Sequence, residues 1–149
     1  MKNEKWKVGV SVVALGATLF LGSCTLKPSG KSIPREVDAL VNSFGDDLTA
    51  GHYEKIYQEA ADEWRQDATL EQSNKVFETL KAKLGKPTER ALHSASETNG
   101  TSGALSGHSF VLMYETRFER GNGMETFTIV ERNGRWLLAR YFVNSTALK

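Results

Sequence analysis

The chain predicts an α+β domain in which three N-terminal helices pack on a curled antiparallel sheet of about four strands. Two periodicities carry this expectation. Apolar residues recur every three or four positions from Val37 to Leu84, and from residue 90 onward they recur every second position. A third observation, Asn133-Gly134 set between two alternating runs, makes the second half a series of hairpins. With 149 residues, 40% hydrophobic and 25% charged, there is room for one globular domain and one core.

Each element has a local reason. Pro34 suits a first helical turn, and Val37, Leu40, Val41, Phe44 and Leu48 then share one face. Gly51 stops that helix. A second starts at once, with Tyr53, Ile56, Tyr57, Ala60 and Trp64 as its stripe. Thr69-Leu70-Glu71-Gln72 has the form of a capping box, which satisfies the orphan amides of a helix start. Val76, Phe77, Leu80 and Leu84 follow as the stripe of a third helix. It ends at Leu84-Gly85-Lys86-Pro87, where Gly takes the left-handed cap and Pro blocks continuation.

A faint alternation over 90–98 suggests a first strand, followed by a Gly- and Ser-rich loop at 99–107. Stronger strands lie near 108–119, 124–132 and 135–144, with turns at Gly121-Asn122 and Asn133-Gly134. These turns place Val130 opposite Leu137, Ile129 opposite Leu138 and Phe127 opposite Arg140. They also set Tyr114 opposite Ile129 and Thr116 opposite Phe127. One face then collects Phe110, Leu112, Tyr114, Phe118, Phe127, Ile129, Trp136, Leu138 and Phe142, and should meet the helices. The other mixes Val111, Met113, Val130, Leu137, Ala139, Tyr141 and Val143 with Glu115, Arg117, Thr126 and Thr128. It is too apolar for plain solvent surface, so part of it should be covered, for instance by a second copy in a homodimer.

Charge and cysteine usage exclude several classes. Of 19 Lys and Arg and 18 Asp and Glu, three basic residues and one acidic residue fall in the first 23 positions, so the remainder is near neutral and lacks a nucleic-acid-binding basic cluster. Cys24 is the only cysteine, so there is no intramolecular disulfide and no Cys-rich metal site. His52, His93 and His108 lack metal-ligand spacing, and Gly100, Gly103 and Gly107 do not open a helix as a phosphate loop does. No cofactor is expected.

The first residues read as a targeting segment. MKNEKWK is basic, and VGVSVVALGATLFLG over 8–22 has the length of a signal-peptide core, short of the roughly twenty apolar residues of a membrane span. Leu21-Gly22-Ser23-Cys24 closes it and resembles the bacterial lipobox. That resemblance implies cleavage between Ser23 and Cys24 and a diacylglyceryl group on the Cys24 sulfur, with two or more acyl chains giving stable attachment to a bilayer. Thr25 stands where an Asp would, in enteric bacteria, imply inner-membrane retention, which points to the periplasmic side of an outer membrane where the cell has one. The expected organisation is a signal peptide over 1–23, a lipidated N-terminus and flexible tether over 24–33, and the α+β domain over 34–149.

The helix and sheet order, together with Gly51-His52-Tyr53-Glu54-Lys55-Ile56-Tyr57 and the closing Asn133-Gly134-Arg135-Trp136-Leu137-Leu138, resembles the nuclear transport factor 2-like superfamily over about residues 34–146. More narrowly, it is similar to the small bacterial lipoproteins of that group. The resemblance implies a cone enclosing a pocket between helices and sheet, and dimers packed through sheet faces. Many members insert a hairpin between the second and third helices, where this chain has about five residues, which implies a smaller or more open pocket. The superfamily holds isomerases, dehydratases and carrier-binding modules, so fold does not settle function.

The candidate pocket residues are Arg140, Tyr114, Thr116, Phe127, Trp136 and Tyr57. By the expected register Arg140 lies on the apolar face, either as an anion-binding residue or in an ion pair with Glu125 or a helix carboxylate. Asp46, Asp47, Tyr53, Tyr57 and His93 are types an enzyme could use, but no two of them form a recognisable catalytic motif. The expectation is a membrane-anchored, non-catalytic envelope protein binding a small ligand or a protein partner. The alternatives are an isomerase- or hydrolase-like enzyme using the same pocket, and a structural dimerisation module.

Overall fold

The computed structural model describes residues 32–103 and 105–149. The expected signal segment, Leu21, Gly22, Ser23 and Cys24 lie outside the described residues. Four helices, α1 (Arg35–Ala50), α2 (Tyr53–Glu59), α3 (Asp62–Asp67) and α4 (Leu70–Leu84), pack on one face of an antiparallel sheet. Its strands are β1 (Pro87–Gly100), β2 (Gly107–Phe118), β3 (Gly121–Arg132) and β4 (Arg135–Asn144), in that spatial order. A single 3₁₀ turn, Thr146–Leu148, ends the chain. The α+β class is as expected.

Two helix termini follow their expected caps, while Gly85 ends α4 at φ 76° and ψ −158°, with extended ψ instead of the expected left-handed helical cap. Gly51 ends α1 at φ 81°, in the left-handed region. At α4 the Gln72 amide donates to Thr69 Oγ1 (3.2 Å) and the Thr69 amide to Gln72 Oε1 (2.8 Å), the two bonds of the capping box.

The expected second helix is in fact two. Ala60 and Ala61 are extended, with ψ of 162° and 158°. The cause is the sheet: the Ala61 amide donates to the Leu138 carbonyl of β4 (2.9 Å), a bond that a continuous helix would forbid. Arg65 then closes the gap, its Nη1 donating to the Ala60 (2.6 Å) and Gln58 (3.2 Å) carbonyls at the end of α2.

Two register differences matter for the site. The β2–β3 turn is Glu119-Arg120, so Tyr114 faces Glu125 and Thr116 faces Gly123 instead of Ile129 and Phe127. Gly121 and Gly123 lie inside β3 because the backbone is approached closely there. A Cβ on Gly123 would stand 3.1 Å from the Asn144 carbonyl oxygen, and one on Gly121 3.3 Å from Ala147 Cβ. The shift is an even number of positions, so each side chain keeps its face.

The β3–β4 hairpin turns at Asn133 (φ 53°) and Gly134 (φ 72°), and Val130 and Ile129 face Leu137 and Leu138 as expected. One extra residue then enters β4 at Ala139, and the pairing continues as Thr128 with Arg140 and Phe127 with Tyr141. Beyond this bulge the faces exchange. Tyr141 and Val143 turn inward, while Arg140 and Phe142 turn outward, Phe142 being 64% exposed.

The core lies between the helices and the inner face, with Phe44 at its centre against Phe77, Phe127 and Tyr141. Part of the outer face is covered, and the chain covers it itself. Val130 and Ala139 are fully buried beneath Ala61, with Leu105 and Leu137 packed alongside.

Candidate functional site

The inner face carries one deeply buried charge, Glu125 of β3, with no exposed surface. An unpaired carboxylate there would be costly, and four donors meet it. Arg90 of β1 donates from Nε to Oε2 (2.5 Å) and from Nη2 to Oε1 (3.0 Å); Thr116 Oγ1 donates to Oε2 (2.5 Å) and the Tyr141 hydroxyl to Oε1 (2.6 Å). Four bonds fill the acceptor sites of a carboxylate. The Arg90 guanidinium lies 5.8 Å from the Phe127 ring centroid.

Helix α1 makes room for this guanidinium with a glycine. A Cβ at Gly45 would overlap Arg90 Nη1 and lie 3.2 Å from its Cζ. Burial opposes the Arg90 charge, and the Glu125 hydrogen bonds and charge outweigh it, holding Arg90 more firmly protonated than usual. Burial, and then the Glu125 carboxylate, push the Tyr141 hydroxyl well above the ordinary phenol range, so it acts as a donor. The cluster is internally satisfied.

Of the residues expected from sequence, Tyr114, Thr116 and Phe127 converge here, with Tyr114 edge-on to Phe127 at 5.7 Å between centroids. Arg140 does not. The Ala139 bulge carries it to the outside, where it pairs with Asp67 at 3.3 Å and its side chain is 51% exposed. Trp136 sits at the other end of the inner face, edge-on to Phe110 and His108, and Tyr57 packs against the core with its hydroxyl donating to the Ala68 carbonyl (3.2 Å). Arg90, Glu125 as its partner, and Tyr141 were missed. The available signal was Gly45, a helix-breaking residue placed mid-helix beside Phe44.

The other candidate acids and bases are dispersed. Asp47 accepts from Lys55 Nζ (2.8 Å) and lies 3.1 Å from His52 Nδ1, and His93 lies 3.1 Å from Glu115. Among the described residues there is no group of His, Cys, Asp and Glu arranged for a metal ion, and no helix long and apolar enough to cross a membrane.

Beside the bulge an open groove of about 340 Å³ runs between α3, α4 and β4, its walls including Trp64, Ala68, Val76, Phe77, Ala139 and Phe142. Val76 is 53% exposed on its rim. Arg140 and Asp67 supply charge at one side. A roomier hollow of about 520 Å³ lies between α3 and the β3–β4 turn, and four of its charged lining residues pair with one another, Arg65 with Asp62 and Arg132 with Glu63.

No curated protein matches the chain. Among solved structures, a protein of Novosphingobium aromaticivorans provisionally named a scytalone dehydratase is similar at 13% identity and a TM-score of 0.44, over 75% of this chain and 83% of that one. A family model matches residues 44–141, a span that begins at Phe44, ends at Tyr141 and contains Gly45, Arg90, Thr116 and Glu125. The chain therefore belongs to the family described as protein of unknown function (DUF4019).

Proposed function

We propose that the chain is a lipid-anchored envelope protein, held to a bacterial membrane through acylated Cys24, whose domain binds a small apolar ligand in the groove between α3, α4 and β4. The groove is the observation that carries the reading. Its volume falls within the roughly 300–1,000 Å³ range of small-molecule sites. Its walls are aromatic and aliphatic, and one cation and one anion stand at its side, which suits a mainly apolar molecule with a single polar end. A non-catalytic role is supported by the inner cluster, where the Glu125 carboxylate, the natural general base, already accepts four hydrogen bonds.

Anilinonaphthalene sulfonate, an apolar probe with one anionic group, tests the groove on the full-length protein in micelles. Phe142→Asp and Val76→Asp should each weaken its binding about tenfold, equivalent to about 1.4 kcal/mol; unchanged affinity in both sinks the groove reading. The anchor is tested separately by mass spectrometry of the N-terminal peptide from cells. It should begin at Cys24 and carry a diacylglyceryl mass that Cys24→Ser abolishes; an unmodified thiol refutes lipidation.

A further inference from the structure

His108 is the second residue of β2, close to the tip of the β1–β2 hairpin, and both of its ring nitrogens face carboxylates. Nδ1 lies 3.0 Å from Glu131 Oε2 of β3, and Nε2 lies 2.7 Å from Glu97 Oε1 of β1. Trp136 of β4 and Phe110 of β2 flank the ring at 4.8 Å and 5.6 Å between centroids. Among the described residues, Glu97 and Glu131 are the charged groups whose side chains meet its ring nitrogens, while β4 contributes an uncharged ring. Arg132, next along β3, is turned to Glu63 and to the Ser106 carbonyl.

We propose that the His108 imidazolium is a pH-operated clasp that holds the β1–β2 hairpin tip against the sheet. The chemistry follows from donor count. Only the imidazolium has two N–H donors, one for each carboxylate. Neutral imidazole keeps one donor and presents a lone pair to the other carboxylate, so one of the two bonds joining three strands is lost. The tip that these bonds secure carries the 101–106 loop, whose Leu105 packs with Val130 and Ala139 on the outer face. Loosening the clasp frees that cover. The geometry also excludes His108 as a general base, because neither nitrogen is open to a substrate.

The hydrogen bonds to Glu97 and Glu131 hold the His108 pKa above the ordinary histidine value. A raised pKa places the clasp's contribution fully below about pH 6.5, and it is lost as pH rises through the higher folded-state value.

The test follows His108 ring resonances by NMR and amide exchange across 95–110 in the full-length protein in micelles, from about pH 5.5 to about pH 8.5, with intrinsic exchange rates corrected. Protection at the tip should fall about tenfold for each unit by which the His108 pKa exceeds the ordinary value. His108→Gln should flatten this profile, while His93→Gln, which alters a contact outside the cluster, should leave it intact. Glu97→Gln and Glu131→Gln should each lower the His108 titration midpoint. A His108 that titrates at or below the ordinary value overturns the proposal, as does a tip whose protection is independent of pH or changes equally in His108→Gln.

Discussion

Gly45→Ala sets helix propensity against the interior ion pair, and the two effects differ in sign. In a helix interior Ala is worth about 1 kcal/mol over Gly, so on local grounds the variant should be more stable. The new methyl, however, occupies the space of Arg90 Nη1, with Cζ 3.2 Å and Nη2 3.3 Å away. Arg90 cannot swing clear without breaking its two bonds to Glu125, which has no exposed surface through which water could replace them. Depriving a buried charge of its partner costs about 3–5 kcal/mol. The expected net loss is therefore about 2–4 kcal/mol, read as a drop in the urea midpoint at unchanged slope. A double-mutant comparison isolates the cause. In an Arg90→Met, Glu125→Leu background the obstruction is gone, and Gly45→Ala should then stabilise by about 1 kcal/mol. A neutral or stabilising effect in the native background would refute the reasoning, as would a loss of equal size in both backgrounds.

Two further substitutions test individual ion pairs. Burial alone would lift the Asp47 carboxyl, but the hydrogen bonds from Lys55 and His52 outweigh it and hold the group below the usual range. Its contribution is thus present above about pH 4 and lost as pH falls through the lower folded-state value, so Asp47→Asn should cost at most about 1 kcal/mol at neutral pH and nothing in acid. Denaturant midpoints across that range decide it, and a pH-independent difference would count against the assignment. Arg140→Met should change the same midpoint by less than about 0.5 kcal/mol, since both side chains of its pair with Asp67 are more than half exposed. A loss above about 2 kcal/mol would return Arg140 to the interior.

Much of the fold is legible because period and parity are robust. The inward set on β2, from Phe110 to Phe118, is readable from alternation even though the expected β2–β3 turn falls two positions later than the observed one, since an even slip in pairing preserves the face. An odd insertion does not. One added residue at Ala139 exchanges the faces of Arg140, Tyr141, Phe142 and Val143, and it adjoins Leu138, whose carbonyl accepts from Ala61, almost eighty positions earlier in the chain. Gly121 and Gly123 read as turn residues because turns and close backbone approaches call for the same residue type. Arg90 was obscure for another reason: it lies on the strand with the least apolar alternation, and its partner is set by pairing across two neighbouring strands, β2 and β3. The buried pair is a long-range property, whereas the capping box at Thr69 is a local one that four residues specify.

The bond from Ala61 to Leu138 also bears on aggregation. An open sheet has two rims whose outward backbone groups can template the addition of another chain. At the β4 rim the extended Ala61, just ahead of α3, occupies the Leu138 carbonyl, and the inserted Ala139 bends the strand just beyond it. At the β1 rim the protein relies on composition, with Glu89, His93 and Glu97 spaced among serines and threonines. Intermolecular ribbon growth is thus obstructed sterically on one side and opposed by charge and polarity on the other.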